Sequence, residues 1–442
     1  MTGAGALFLQ RRFFIAVSAA SVLFVAAYFI PVLLAPVRAA LAVLALAAAL
    51  DILLLFRAGG VDADRSIPEK LSNGDENGIS VRVDNRYPFR VTAGVIDELP
   101  FQFQRRDFFI RAAIPPRGSH RFAYSVRPVE RGEYEFGSLN IYVSTPLGLA
   151  ARRFRFFTGT RVPVYPSILQ MRLYDMFAVS NRLTDAGIKK IRRAGASMEF
   201  DRIRHYIDGD DYRKINWKAT ARKRELMVNQ YRDERSQRVY SLIDMGRVMK
   251  MPFRGMSLLD YAINAALVIS NVAIRREDRA GVITFSTATD ALLPASREHA
   301  QMFRILELLY NCRTGFGESN YELLCADISR KISRRSLMLL FTNFETLSSL
   351  RRTLPYLSLI ARRHFLVVIF FVNTELSKLL DTPAASLEDI YIKTIAEKFS
   401  FEKKQVVKEL ERHGIHSILT SPESLTVDTI NKYLELKTRG LI

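Results

Sequence analysis

The hydrophobic pattern divides the chain into three textures. Phe13 to Ala35 is an uncharged apolar run, long enough for a bilayer crossing that takes about 20 residues. A second, shorter run, Ala39 to Phe56, follows Pro36-Val37-Arg38 and is broken only by Asp51. A signal peptide has a shorter apolar core and no second span directly behind it, so the pair predicts a transmembrane helical hairpin turning at 36–38. Arg11 and Arg12 precede the first run, and Arg57, Arg65 and Lys70 follow the second, with only Arg38 in the turn. That asymmetry places both ends in the cytoplasm. An acid inside a membrane is a functional candidate by default, but Asp51 is close enough to its helix end for the carboxylate to reach water.

Gly59 to Gly78 is polar and turn-rich and reads as a link. From Ile79 to Tyr165 the pattern shifts to short alternating runs, Ile79-Ser80-Val81-Arg82-Val83 and Leu139-Asn140-Ile141-Tyr142-Val143 among them. Turn residues at 85–88, 115–118, 131–132 and 145–146 separate these runs, which predicts an antiparallel β-sandwich. Nothing in it has catalytic spacing. The third texture begins at Arg238, where apolar strands alternate with amphipathic helices. Val239–Asp244, Gly281–Phe285, Leu337–Phe341 and Phe365–Val372 read as parallel strands covered on both faces. Helices are expected at Arg297–Tyr310, Tyr321–Ile332, Leu347–Arg362 and Glu388–His413. Another is expected at Pro422–Leu436 behind a Ser421 cap. Ser257-Leu258-Leu259-Asp260 has the form of a capping box opening one more. The result is a doubly wound α/β domain whose ligands belong at the carboxyl ends of its strands. The expected divisions are a hairpin over 1–58, a β-sandwich over 59–166, a basic linker with a charged motif over 167–236, and the α/β domain over 237–442.

Composition adds charge to this picture. The formal balance of +19 favours acidic partners, the inner membrane surface or nucleic acid. Lys189, Lys190, Arg192 and Arg193 concentrate part of it, but without the interleaved aromatics of a single-strand platform. Acidic lipid or an acidic protein suits that cluster better than nucleic acid does. Two cysteines, Cys312 and Cys325, lie too far apart for a CxxC pair and fit a reducing compartment.

The densest motif lies between the second and third textures. It runs from Glu199 to Glu234 and holds Trp217, the only tryptophan. Asp208-Gly209-Asp210-Asp211 makes a turn. Tyr212, Ile215, Trp217 and Ala221 are apolar enough to pack, and Arg213, Lys218 and Arg222 can answer the acids. On this reading, alanine at Asp210 or Trp217 destabilises the protein. The motif resembles the signature of the domain-of-unknown-function fifty-eight family, Arg-x-Tyr-x-x-Gly-Asp-x-x-Arg-x-Ile-x-Trp-x-x-x-Ala-Arg. It is carried here by Arg204, Tyr206, Gly209, Asp210, Arg213, Ile215, Trp217, Ala221 and Arg222. Arg131-Gly132-x-Tyr134 and Pro146-Leu147-Gly148-Leu149 look like further family signatures. The resemblance implies a von Willebrand factor type A-like α/β domain and a MoxR-type AAA+ ATPase as partner.

Members of that fold that bind metal use Asp-x-Ser-x-Ser, a later Thr and a later Asp. This chain has Asp244-Met245-Gly246-Arg247-Val248, then Ser319 or Asn320, then Asn343. Glycine and valine replace two hydroxyls, an amide replaces a carboxylate, and Arg247 adds positive charge. Mg²⁺ wants oxygen ligands and at least one or two carboxylates, so binding is expected to be lost or very weak and no cofactor is expected. Asp244 then caps its loop or pairs with Arg247.

No GxxxxGK[ST] loop is present, and no histidine lies beside a recognisable nucleophile. Asp208, Asp210 and Asp211 have the residue types of a two-metal nuclease or phosphodiesterase centre, but the surrounding arginines point to salt-bridge roles. The expectation is a non-enzymatic adaptor at the bacterial inner membrane, its soluble domains in the cytoplasm. It would dock the ATPase and client proteins through the strand-end face around Asp244, Ser319 and Asn343. The alternatives are the metal-dependent hydrolase and a basic nucleic-acid-binding membrane protein.

Overall fold

A computed structural model describes residues 6–57, 59–105, 108–156, 159–179, 198–207, 210–233, 236–374, 376 and 386–442. The chain forms two compact units, Met1–Tyr165 and Pro166–Ile442. The basic cluster at 189–193 lies outside the described residues, as do Asp208 and Gly209.

In the first unit a short strand, β1 (Leu7–Leu9), leads into α1 (Arg11–Phe29) and α2 (Leu34–Arg57). Both helices are long and apolar enough to cross a membrane. The break between them falls at Ile30–Leu33, not at 36–38. Pro31 opens a single 3-10 turn, and Pro36 sits in the first turn of α2, where its missing N–H has no helical partner to lose. Arg38 therefore belongs to the helix.

Ten strands follow: β2 (Val61–Ser66), β3 (Leu71–Ser72), β4 (Asn77–Asn85), β5 (Val91–Asp97), β6 (Ile110–Ile114), β7 (Ser119–Val126), β8 (Gly132–Phe136), β9 (Leu139–Ser144), β10 (Ala150–Phe156) and β11 (Thr160–Tyr165). They form an antiparallel sheet in the order β1-β10-β9-β5-β6, an antiparallel β2-β4-β7 sheet, and a β3-β11-β8 sheet whose β3 is parallel to β11. Alternate residues of β4 and β5 (Val81 and Val83, Val91 and Val95) share one core with Ile141, Val143 and Leu55. The segment read as a link carries β2, whose Val61 and Ala63 turn into that core. Its three intervening charges hid the alternation. Between β2 and β5, Arg65 and Asp97 pair at 2.7 Å with side chains 2% and 0% exposed, and the Tyr124 hydroxyl donates to the same carboxylate at 2.5 Å.

The second unit opens with α3 (Ile168–Val179), where sequence alone gave only a bridge. The two-stranded arm of β12 (Met198–His205) and β13 (Met227–Asp233) encloses the short helix α4 (Trp217–Lys223). The α/β body contains β14 (Arg238–Asp244), the small hairpin β15 (Pro252–Phe253) and β16 (Met256–Ser257), and α5 (Leu258–Arg275). It continues through β17 (Arg279–Phe285), β18 (Thr289–Ser296), α6 (His299–Asn311), α7 (Tyr321–Lys331), β19 (Leu337–Phe341) and α8 (Leu347–Arg363). Its last elements are β20 (Phe365–Phe371), α9 (Leu387–Arg412), β21 (His416–Thr420) and α10 (Leu425–Thr438). The last helix starts three residues later than Pro422 suggests, with Ser424 rather than Ser421 at its N-cap.

The sheet order is β18-β17-β14-β19-β20-β21. All strands are parallel except β18, an antiparallel edge. Val239 and Ile243 of β14 point into one core with α5, α6 and α10. Tyr240 and Leu242 point into the other with α7, α8 and α9. Helix α5 is apolar enough to pass for a membrane span, but 78% of its most apolar window is buried, and the Ser257–Asp260 capping box opens it as expected. Met171 and Tyr174 of α3 pack on this core, and the Ser167 N–H donates to Asn264 of α5 at 2.8 Å. Strand order reverses between β14 and β19, the place where open α/β sheets leave a crevice.

Candidate functional site

Asp244 ends β14 at that reversal and is buried. Its Oδ1 accepts from the Ser319 hydroxyl and from the Gly246 N–H at 2.8 Å. Its Oδ2 accepts from the Thr342 hydroxyl at 2.6 Å and the Tyr321 hydroxyl at 3.0 Å. Burial pushes the carboxyl above the ordinary carboxylate range, and the four donors pull against it. The Tyr321 and Thr342 hydroxyl oxygens also lie 2.8 Å apart, closing a cluster that residue spacing did not reveal. Thr342 sits next to Asn343, so its presence was readable; Tyr321 gave no signal beyond following Asn320.

Asn343 is buried too, and its Oδ1 accepts from Lys403 Nζ of α9 at 2.6 Å. Burial lowers that lysine to about 8. Asn320 is not at the acid: it caps α7 through the N–H groups of Glu322 and Leu323. A Cβ on Gly246 would lie 2.0 Å from Ser319 Oγ, so the missing hydroxyl cannot be restored there without moving Ser319. Val248 packs against the first core. One satisfied carboxylate, three hydroxyls already bonded to it and a lysine ammonium on the amide do not fit a divalent cation. Arg247 pairs with Glu318 at 3.5 Å, as Arg352 does, so Asp244 caps its own loop. Above these residues lies a cleft of about 500 Å³ lined by Arg247, Glu318, Arg352 and Tyr356. Asp244 and Asn343 also form part of its lining, although both residues are largely buried.

The arm presents a different surface. Arg204 Nη2 bonds Asp210 Oδ1 at 2.6 Å, and Asp210 Oδ2 accepts the Ile207 N–H at 3.0 Å. The hydrogen bond from Arg204 is the first reason that this carboxyl sits below its usual range. Asp211 accepts the Arg213 N–H at 3.0 Å. Asp210 is therefore answered by Arg204 and backbone and Asp211 by backbone, and among the described residues neither pairs with Lys218 or Arg222. The Tyr206 hydroxyl donates to the Asp210 carbonyl, and Ile215 bridges to Val228. Trp217 does not pack as its neighbours suggested: it is 69% exposed, with Tyr212 at 68% and Ile207 at 64%. The short helix that carries it is held by Asn216, whose side chain accepts the Ala219 N–H. This leaves the indole on the outside. Arg213, Lys218 and Arg222 are exposed beside it. Among the described residues no group of three His, Cys, Asp or Glu is gathered to hold a metal.

Residues 202–411 match the family model described as protein of unknown function DUF58. The matched stretch contains the arm from Arg202 onward, without the first four residues of β12, and also the Asp244 network and Lys403. It does not reach the sequences around Gly132 and Gly148 that also looked family-like. Uncharacterized protein YeaD of Bacillus subtilis is 26% identical over 205 residues, 44% of this chain and 50% of YeaD. The chain thus spans about half the length of that relative. Two similar solved structures are the CARDB domain of the PF1109 protein from Pyrococcus furiosus, in complex with di-metal ions, and a PapD-like domain of human CEP192. The first is 12% identical and covers 25% of this chain and 91% of its own, with a TM-score of 0.18. The second is 9% identical and covers 25% and 85%, with a TM-score of 0.17.

Proposed function

We propose that this protein is a membrane-anchored, non-enzymatic adaptor that docks other proteins, with a MoxR-type AAA+ ATPase among them. The observation that carries the reading is the arm. A tryptophan, a tyrosine and an isoleucine stand out from a clipped hairpin among arginines and lysines, and tryptophan, tyrosine and arginine are the residue types that dominate protein-binding hot spots. Asp210 spends both oxygens holding that shape, which supports docking over hydrolysis. The basic surroundings suit an acidic partner. The rim of the α/β cleft is a second contact surface in this reading. The strand order and the acid ending β14 support a von Willebrand type A-like domain whose metal-dependent contact has been replaced by direct protein contact. The apolar α1 and α2 support a place in the bacterial inner membrane, and the arginines at their outer ends support cytoplasmic soluble parts.

The test is affinity purification from solubilised membranes. The wild-type chain is expected to retain a MoxR-type ATPase identified by mass spectrometry, and Trp217→Ala to release it while the protein stays folded. Equal retention by both chains overturns the arm as the docking element. A turnover that disappears with Asp210→Asn in a folded protein overturns the adaptor.

A further inference from the structure

The second apolar run does not end where the membrane ends. Ile52 and Leu55, from its last turn and a half, pack in the β-sheet core. The Leu55 carbonyl accepts from the Tyr87 hydroxyl at 2.7 Å and from Arg152 Nη1 at 3.0 Å. One turn before Leu55, the Asp51 carboxylate takes the Thr145 hydroxyl and, at 2.9 Å each, the N–H groups of Leu149 and Ala150. The loop joining β9 to β10 therefore climbs α2 to the level of Asp51, about 9 Å short of the helix end at 1.5 Å per residue.

The same loop holds the start of α1. Gln10 N–H donates to the Leu149 carbonyl at 2.9 Å, and Arg12 Nη1 reaches the Pro146 and Leu147 carbonyls at 3.4 Å. Gly148, at φ +65°, allows this reversal. One loop thus gathers both helices at one level, Arg12 on α1 and Asp51 on α2. Measured from there, α1 is about 28 Å long and Leu34–Leu50 about 25 Å, both close to the roughly 30 Å hydrocarbon thickness. Taking α2 to Arg57 would leave the two helices unequal.

We infer that the hydrocarbon edge crosses α2 at Asp51, and that β1 and the Pro146–Leu149 loop lie in an anionic headgroup layer. The inference rests on the reading that α1 and α2 span the membrane. Two features at this level favour lipid as the occupant. Leu7, Phe8, Leu9 and Leu147 are exposed side chains contiguous with the spans. No Asp or Glu occurs between Ala6 and Leu50 or between Leu139 and Phe156, whereas Arg11, Arg12, Arg152 and Arg153 all do. Arg153 lies over the Phe8 ring at 5.6 Å, an apolar body with a cation beside it, as interfacial groups are built. Asp51 itself is buried and occupied by its three donors.

The test uses the full chain in nanodiscs of phosphatidylcholine with and without phosphatidylglycerol. A nitroxide is placed singly at Leu147→Cys, Val22→Cys and Glu76→Cys, all exposed positions, with the unsubstituted chain as the labelling blank because Cys312 and Cys325 are buried. The Leu147 label is expected to be shielded several-fold from a water-soluble nickel chelate relative to Glu76, and less than Val22. Leu147 as open as Glu76, with Val22 shielded, overturns the inference and leaves the spans standing. Val22 as open as Glu76 overturns the spans themselves. Phosphatidylglycerol is expected to be retained over phosphatidylcholine on the purified chain and to lose that preference in the Arg11→Gln, Arg153→Gln double variant. Equal retention by the wild type overturns the anionic part.

Discussion

At the scale of single residues, four polar side chains, Arg65, Asp97, Lys403 and Asp244, decide what the sequence pattern leaves open. Arg65 and Asp97 are a desolvated pair, also bonded to the Tyr124 hydroxyl, the Gly137 carbonyl and the Thr160 hydroxyl. Removing one member strands the other, so Asp97→Asn is expected to cost about 3–5 kcal/mol, measurable by denaturant unfolding. Lys403 carries a pH signature. It is held near 8 in the folded chain against an ordinary 10.5. The folded state thus binds fewer protons than the unfolded state between those values, and stability rises with pH across that window. Denaturant midpoints are expected to climb from about pH 8 to pH 10 in the wild type and to stay level in Lys403→Met. Asp244 gives the metal prediction. With four donors on its oxygens, calorimetry is expected to show no submillimolar Mg²⁺ binding, and Gly246→Ser alone is not expected to create it. Submillimolar affinity abolished by Asp244→Ala would reverse that reading.

At the scale of elements, legibility followed burial. Strands β14, β17, β19 and β20 are buried on both faces, so each showed as an unbroken apolar run within two residues of its observed ends. Strand β18 pairs on one side only and carries Asp290 and Pro294, so no run marked it. Helix α3 was missed because its apolar residues are scattered over both faces. The arm misled for another reason: apolar residues were taken to pack, but the arm buries Met227 and Val228 and leaves Ile207, Tyr212 and Trp217 exposed. Its shape comes from Asp210, Asp211 and Asn216 bonding to nearby backbone, a local device that residue types show and hydrophobicity does not. It follows that Trp217→Ala should change stability by no more than about 0.5 kcal/mol, as at other surface sites, while releasing the docked partner. Thermal unfolding beside the purification described above separates the two effects.

At the scale of the whole molecule, the apolar hairpin and the β-sheet unit have no clean seam, and this decides where a soluble fragment can begin. Sequence pattern put the seam between residues 58 and 59, because hydropathy does not distinguish a side chain facing lipid from one facing a protein core. The structure puts Leu55 in that core and spends Asp51 on the β9–β10 loop. A fragment starting at Gly59 discards both. It opens the site that Leu55 fills, worth about 2–5 kcal/mol by analogy with buried leucine truncations. It also leaves the Tyr87 hydroxyl and the Leu149 and Ala150 N–H groups without their acceptors, each costing about 1–3 kcal/mol if no water replaces them. A fragment starting at Leu50 keeps all of these at the expense of a few exposed apolar residues. The expectation is therefore that the longer fragment melts at the higher temperature despite its greater hydrophobicity. Within it, Asp51→Ala should lower the melting temperature toward that of the shorter one. Equal melting of the two fragments would mean that the helix end merely rests on the sheet and contributes nothing to its stability.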